Sequence, residues 1–348
     1  MRRFDCLNCG ADVTFTDTRC ASCGVELGFF HERGHLLPIE SVGDATFRQM
    51  PGGPGQWWRC LNSAWGCNWM VPSHDGNVWC AACRLTRGRP DESNLDAVRA
   101  WSVAEAAKRR LVAQLHSLCL PIAPPSPDHD DGLVFDLVYL PESVGVTGHR
   151  PGVITLDLRE VDDGFREAAR VHFREQYRTV LGHLRHETGH HLWNRLVVRA
   201  GAVDEARELF GDERADYRAA LEAHYGEMHA ATSDEVPTSF LSDYASVHPS
   251  EDWAETFAHY LHLRDGLETS REFGLDPDAD VALVADHVGR EEFGAAIDRW
   301  RQLSRAVNEM SLGLGHPAVY GVSIGPGVEP KLRFVHERVN AAARARAR

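Results

Sequence analysis

The sequence predicts an α+β protein in which tandem small cysteine-rich modules precede a mainly helical domain with a small β-sheet. Three observations predict it. Eight of the nine cysteines fall in two clusters within the first quarter of the chain. Residues 178–201 carry apolar side chains at helical spacing together with the pattern H-E-x-x-H, and residues 133–141 and 152–160 are β-branched or alternating runs that read as strands. At 348 residues the length suits about two domains. The expected division is residues 1–89, in modules of about 1–40 and 55–88, followed by residues 90–348.

Cys6, Cys9, Cys20 and Cys23 form two C-x2-C pairs, and CLNCG and CASCG both resemble zinc-knuckle turns. Four thiolates so spaced close a tetrahedral zinc site with bonds of about 2.3 Å. In a chain whose start lacks the apolar run of a signal peptide, paired C-x2-C units favour metal over disulfides. Phe4, Val13, Phe15, Leu27 and Phe29 are expected to pack around this structural zinc. Cys60, Cys67, Cys80 and Cys83 make a second set whose first pair is C-x6-C, so a second zinc-ribbon is expected, with His74 an alternative ligand. Trp57, Trp58, Trp65, Trp69 and Trp79 are read as cover for that site, and as an aromatic binding surface in the competing reading. Residues 50–56 read as a turn, and the polar segment after Cys83 carries the domain boundary.

Beyond it, residues 94–120 have Leu95, Val98, Leu111, Leu115 and Leu118 at helical spacing, with Cys119 expected as a buried thiol. Residues 121–132 are a proline-rich loop. The two strands follow, joined by a turn-rich connector in which His149 is expected to be a solvated loop histidine. Whether residues 152–158 form a sheet edge is left open. Residues 162–176 are charged and helical or irregular.

The H-E-x-x-H segment puts His186 and His190 four residues apart, one turn above the other on a helix face, where both imidazoles reach one ion. Glu187 sits beside that face. Bound zinc lowers the pKa of a coordinated water to about 7, and a neighbouring carboxylate accepts its proton. Gly189 is a poor helix residue, which suggests close approach of another backbone or of the substrate. A catalytic zinc needs a third protein ligand. The metzincin pattern fails, because Trp193 and Leu196 stand where glycine and histidine are required. Downstream, Pro249 and Ser250 mark a helix start, and Glu251 and Glu255 share a face although like charges so placed repel. Glu251 is therefore read as the third ligand and Glu255 as the acceptor behind a ligand histidine. Residues 210–228 are read as one helix whose Glu213, Asp216 and His224 are weaker ligand candidates. His259 and His262 are read as helix histidines, with a second metal as the alternative. Tail helices are expected near 280–289, 291–312 and 330–343, followed by a frayed arginine-rich end.

HETGHH followed by Tyr244, Glu251, Glu255 and Phe257 resembles the gluzincin metallopeptidases of the minigluzincin and anthrax lethal factor type. The resemblance implies His186, His190 and Glu251 as zinc ligands, Glu187 as base, Tyr244 as oxyanion donor and Glu255 as support. Over nearly its full length the chain also resembles a bacterial family of zinc-binding metallopeptidases with an N-terminal zinc-ribbon. One catalytic and two structural zincs, and a peptide or protein substrate, are the expected cofactors and partner.

A net charge of -14 disfavours a broad nucleic-acid footprint, and no apolar run spans a bilayer, so a cytoplasmic protein without membrane partners is expected. Lysine occurs only at Lys108 and Lys331, which reads as coding composition. The competing reading is a regulatory protein whose ribbons bind nucleic acid or protein and whose peptidase-like domain is restricted or inactive.

Overall fold

Each C-x2-C pair of the first cluster ends in a left-handed glycine, Gly10 at φ 76° and Gly24 at φ 74°. This lets the glycine N–H groups turn back to the carbonyls of Cys6 and Cys20 at 2.7 and 2.9 Å. The computed structural model describes residues 3–127, 131–139, 147–173, 175–228, 238–275 and 290–347. Strands β1 (Phe4–Asp5) and β2 (Asp12–Val13) form a hairpin beside the first cysteine set. An antiparallel sheet follows, made of β3 (Glu26–Phe30), β4 (His35–Gly43), β5 (Thr46–Gln49), β6 (Trp57–Arg59) and β7 (Met70–Pro72) in that order. It curls until Phe29 bridges Trp69, so the two cysteine sets are tied to one continuous sheet. Gly28 lies under Met70, where an added Cβ would stand 2.6 Å from that side chain. Phe15, Phe29 and Trp69 pack ring to ring between the two sets, at 4.8 Å for the first pair and 4.9 Å for the second. The buried Asn68 amide donates to Phe15 O at 2.8 Å across the same seam.

Helix α1 (Leu95–Ser117) starts at Asn94, whose side chain accepts from Ala97 N. Its buried face meets both halves of the molecule. Ser102 donates to Trp65 O at 2.7 Å, and Gln114 donates to Leu261 O at 2.8 Å. The segment given the domain boundary is itself bonded across it, since Arg87 N donates to Phe135 O at 3.1 Å. Phe135 lies on β8 (Val134–Val138), which joins β9 (Gly148–Arg150) and β10 (Val153–Asp157) in a sheet ordered β8-β10-β9. β10, the strand whose edge position was left open, is central: parallel to β8 and antiparallel to β9.

Helices α2 (Asp163–His172) and α3 (Val180–Trp193) follow, and α3 is capped by the Thr179 hydroxyl and runs on into a π-type turn, Asn194–Val198. Phe210 closes a separate helix, α4 (Val203–Phe210), which ends at Gly211 with φ 97°, so the helix expected over 210–228 starts only at Tyr217, as α5 (Tyr217–Met228). Helix α6 (Pro249–Glu272) has proline in its first turn and the His248 ring as cap. It crosses α3 closely enough that a Cβ on Gly189 would lie 3.1 Å from the Ala254 Cα, so the glycine serves the backbone approach its position suggested. Helices α7 (Arg290–Gly313) and α8 (Glu329–Ala347) close the fold. The arginine-rich end continues α8 as regular helix, and the helix expected at 280–289 lies outside the described residues. Cys119 is exposed, not buried, because it falls in the turn after α1 at φ 57°. Among the described residues no helix is long and apolar enough to cross a membrane.

Candidate metal centres and active site

The first cysteine set approaches a tetrahedron, with Sγ–Sγ distances of 3.8 Å for Cys6 and Cys23 and 3.7 Å for Cys9 and Cys20. In the second, Cys67 lies 3.7 Å from Cys80 and 3.8 Å from Cys83. Sulfurs about 2.3 Å from a shared zinc in tetrahedral array stand about 3.8 Å apart, so both sets fit that ion. The second set is buried throughout, whereas Cys9 and Cys23 of the first are exposed. Cys80 N and Cys83 N donate to sulfur at 3.4 Å, and the buried Glu105 carboxylate lies 3.6 Å from the Cys83 sulfur. Glu105 is paired with Lys108 at 2.6 Å. Burial works against the charge on Arg109, but negative charge on the Cys67 and Cys83 sulfurs and on Glu105 outweighs it and raises its pKa. His74 is exposed and takes no part in the set.

The third centre forms where α3 crosses α6. His186 Nε2 lies 3.0 Å from Glu251 Oε2, His190 Nε2 lies 3.3 Å from the same oxygen, and the two ring nitrogens are 3.1 Å apart. Donors about 2.0 Å from one tetrahedral ion are separated by about 3.3 Å, so this set also fits zinc. Its two stretches are 65 residues apart in sequence for His186 and Glu251. Behind the first histidine, His186 Nδ1 meets Glu255 Oε1 at 2.8 Å, and the other oxygen of Glu255 accepts from Ser242 at 3.2 Å. Burial opposes ionisation of Glu255, yet the contacts with His186 and His259 prevail and hold its pKa well below the ordinary range. His259 continues the chain of bonds to the Tyr320 hydroxyl at 2.6 Å. Glu187 is buried beside this centre, and burial raises its pKa. Tyr244 lies in the short turn before α6, its ring 6.1 Å from that of His186 and its hydroxyl 3.4 Å from that of Tyr217. Burial first, then the Glu251 charge, raises the Tyr244 pKa, so the phenol keeps its proton.

The comparisons with known proteins decide the family. A family model described as "Putative zinc-binding metallo-peptidase" matches residues 97–338, and a zinc-ribbon domain model matches residues 3–94. The chain belongs to this metallopeptidase family. It is 41% identical over 345 residues to uncharacterized proteins of Mycobacterium tuberculosis and Mycobacterium bovis, covering 99% of this chain and 96% of each relative. No solved structure matches the chain.

In this chain the weaker candidates stand apart from the His186, His190 and Glu251 set. Glu213 is paired with Arg207 at 2.6 Å, and the Asp216 carboxylate caps α5 through Arg218 N. His224 faces Asp243 at 3.6 Å. His259 and His262 belong to the buried network behind Glu255, and His262 Nδ1 bonds Arg185 at 2.5 Å. They are absent from the ligand groups found among the described residues. The reading of His149 as a solvated loop residue is corrected. It lies on β9, half-buried, with its ring 5.9 Å from that of His190 and nearly parallel to it, and burial pushes its pKa down to about 4. Only pairing with β10 brings this histidine over α3, and no local motif signals that. Tyr217 and Ser242 were missed for the same reason: each acts through a neighbour remote from H-E-x-x-H.

Proposed function

We propose that the protein is a zinc metallopeptidase of the gluzincin type that hydrolyses peptide bonds. The observation that carries the reading is the convergence of His186, His190 and Glu251 on one point, with Glu187 and Tyr244 beside it. Zinc held by these three side chains would supply Lewis acidity and lower the pKa of bound water to about 7. Glu187 accepts the proton of the attacking water and returns it to the leaving amine. Tyr244 donates its hydroxyl to the oxyanion that develops on the carbonyl oxygen. Glu255 accepts from His186 Nδ1 and fixes that ring with Nε2 toward the ligand point. The two cysteine sets hold structural zinc, for a total of three. Eight thiols arranged for metal suit a reducing compartment, which supports a cytoplasmic location.

The test is Glu187→Gln. The variant is expected to bind as much zinc as the parent and to lose activity on an unfolded protein substrate by about 10²- to 10⁴-fold, the usual worth of a general base. Cleavage at the parent's rate would remove Glu187 from the mechanism.

A further inference from the structure

We infer that the ribbon sheet forms the second wall of the substrate cleft and holds an extended, unfolded polypeptide against its aromatic face. The proposal takes the reacting end of the cleft from the peptidase reading, but its own test is binding. A cleft of about 1020 Å³ runs between the ribbon sheet and α3. One side presents Trp57, Met70, Trp79 and Arg84, from the elements that carry the second cysteine set. The other presents His149, His190 and Trp193, so the cleft reaches a ligand of the third centre. Pro121 and Ile122 line it between the two walls.

The occupant follows from size, continuity and charge. The volume stands at the upper end of the roughly 300–1,000 Å³ of small-molecule pockets, and the lining runs from His190 to Trp57 and Trp79 of the ribbon region. That shape suits several residues of a chain whose scissile bond lies by His190. Charges along the cleft balance, with Arg84, Arg195 and Arg346 against Glu32, Asp75 and Asp131. Such a lining offers no cationic track for phosphates, and the whole chain carries a net charge of -14, so a polypeptide is favoured over a nucleic acid. Trp79 remains 44% exposed and Arg84 is exposed, although each adjoins a cysteine of a fully buried set. An indole left open at the side of a deep cleft is surface kept for a ligand.

The experiment uses the full-length, zinc-loaded Glu187→Gln protein, which binds without consuming its ligand. Fluorescein-labelled, reduced and carboxymethylated α-lactalbumin, a permanently unfolded chain, is the probe, read by anisotropy. Trp79→Ala with Arg84→Ala, added to Glu187→Gln, is expected to weaken binding by about tenfold or more, with zinc content and melting temperature unchanged. Leu7→Ala, a more exposed ribbon residue outside the cleft, is expected to leave binding as it was. Absence of binding by the Glu187→Gln protein, an unchanged affinity in the Trp79 and Arg84 variant, or displacement of the probe by an oligothymidylate would each overturn the proposal. Ribbon-dependent binding by a parent enzyme that never cleaves the chain would instead defeat the hydrolytic reading and leave this assignment standing.

Discussion

The sulfurs of Cys60, Cys67, Cys80 and Cys83 are fully buried, supplied with backbone N–H donors and backed by Glu105 and Arg109 on α1. The nitrogens and oxygen of His186, His190 and Glu251 are brought together by two helices, and His190 borders the cleft. A closed set of four thiolates leaves no coordination position for a substrate, whereas three donors at tetrahedral spacing leave one. On the proposed reading the first kind of centre holds the fold and the second carries the chemistry. Burial also separates the two ribbons: the set with two exposed cysteines lies beside the β1–β2 hairpin, while the buried set forms part of the junction with α1.

The largest effect expected from this comparison is in stability. Cys80→Ser removes a buried ligand beside Glu105 and Arg109, so it should abolish cooperative folding of the ribbon and α1 together, given that structural zinc contributes about 10–16 kcal/mol in small zinc-binding peptides. Cys9→Ser, at an exposed ligand, should cost markedly less. Thermal melting followed by circular dichroism separates the two, and equal losses would break the distinction between them. Next in size is Tyr244→Phe, which should lower kcat by about 3 kcal/mol of transition-state stabilisation while zinc content stays at the parent value. Loss of zinc together with rate would make Tyr244 a support of the centre.

The smallest effect is a pH dependence at the ribbon. Burial, with His116 and Arg84 nearby, lowers the His31 pKa to about 4. Because the folded state disfavours the charged ring, stability contributed by neutral His31 is present above about pH 6.5 and is lost as pH falls toward 4. Allowing for the ring's partial exposure, the loss is about 2 kcal/mol. In His31→Gln the difference in melting temperature between pH 7 and pH 5 should shrink, measured with zinc in excess. An identical pH profile would exclude the ring as its source.

Much of this was legible in the sequence because metal ligands come in short patterns. C-x2-C and H-E-x-x-H each fix their own local geometry, and Glu251 with Glu255 announced itself as an otherwise unfavourable pair. What stayed hidden depended on pairing between distant segments. His149 reaches His190 only because β9 lies against a central β10, and the cleft exists only because the ribbon sheet faces α3. The two lysines carry structure that composition alone does not show. The only two lysines are both buried in ion pairs of 2.6 Å, Lys108 with Glu105 beside the second cysteine set and Lys331 with Asp252 beside Glu251. Each pair steadies an element that carries or adjoins a ligand, which a composition count does not reveal. The helix expected from Phe210 begins instead at Tyr217, because Gly211 ends α4 in a conformation that does not continue a helix.

The most direct measurement is zinc per chain by elemental analysis of the parent beside His186→Ala and Glu251→Ala. Three zincs in the parent, falling to two in both variants with the folded state retained, is the result that a shared centre between α3 and α6 requires. Three zincs persisting in Glu251→Ala would contradict it, because the two helices would then not share an ion.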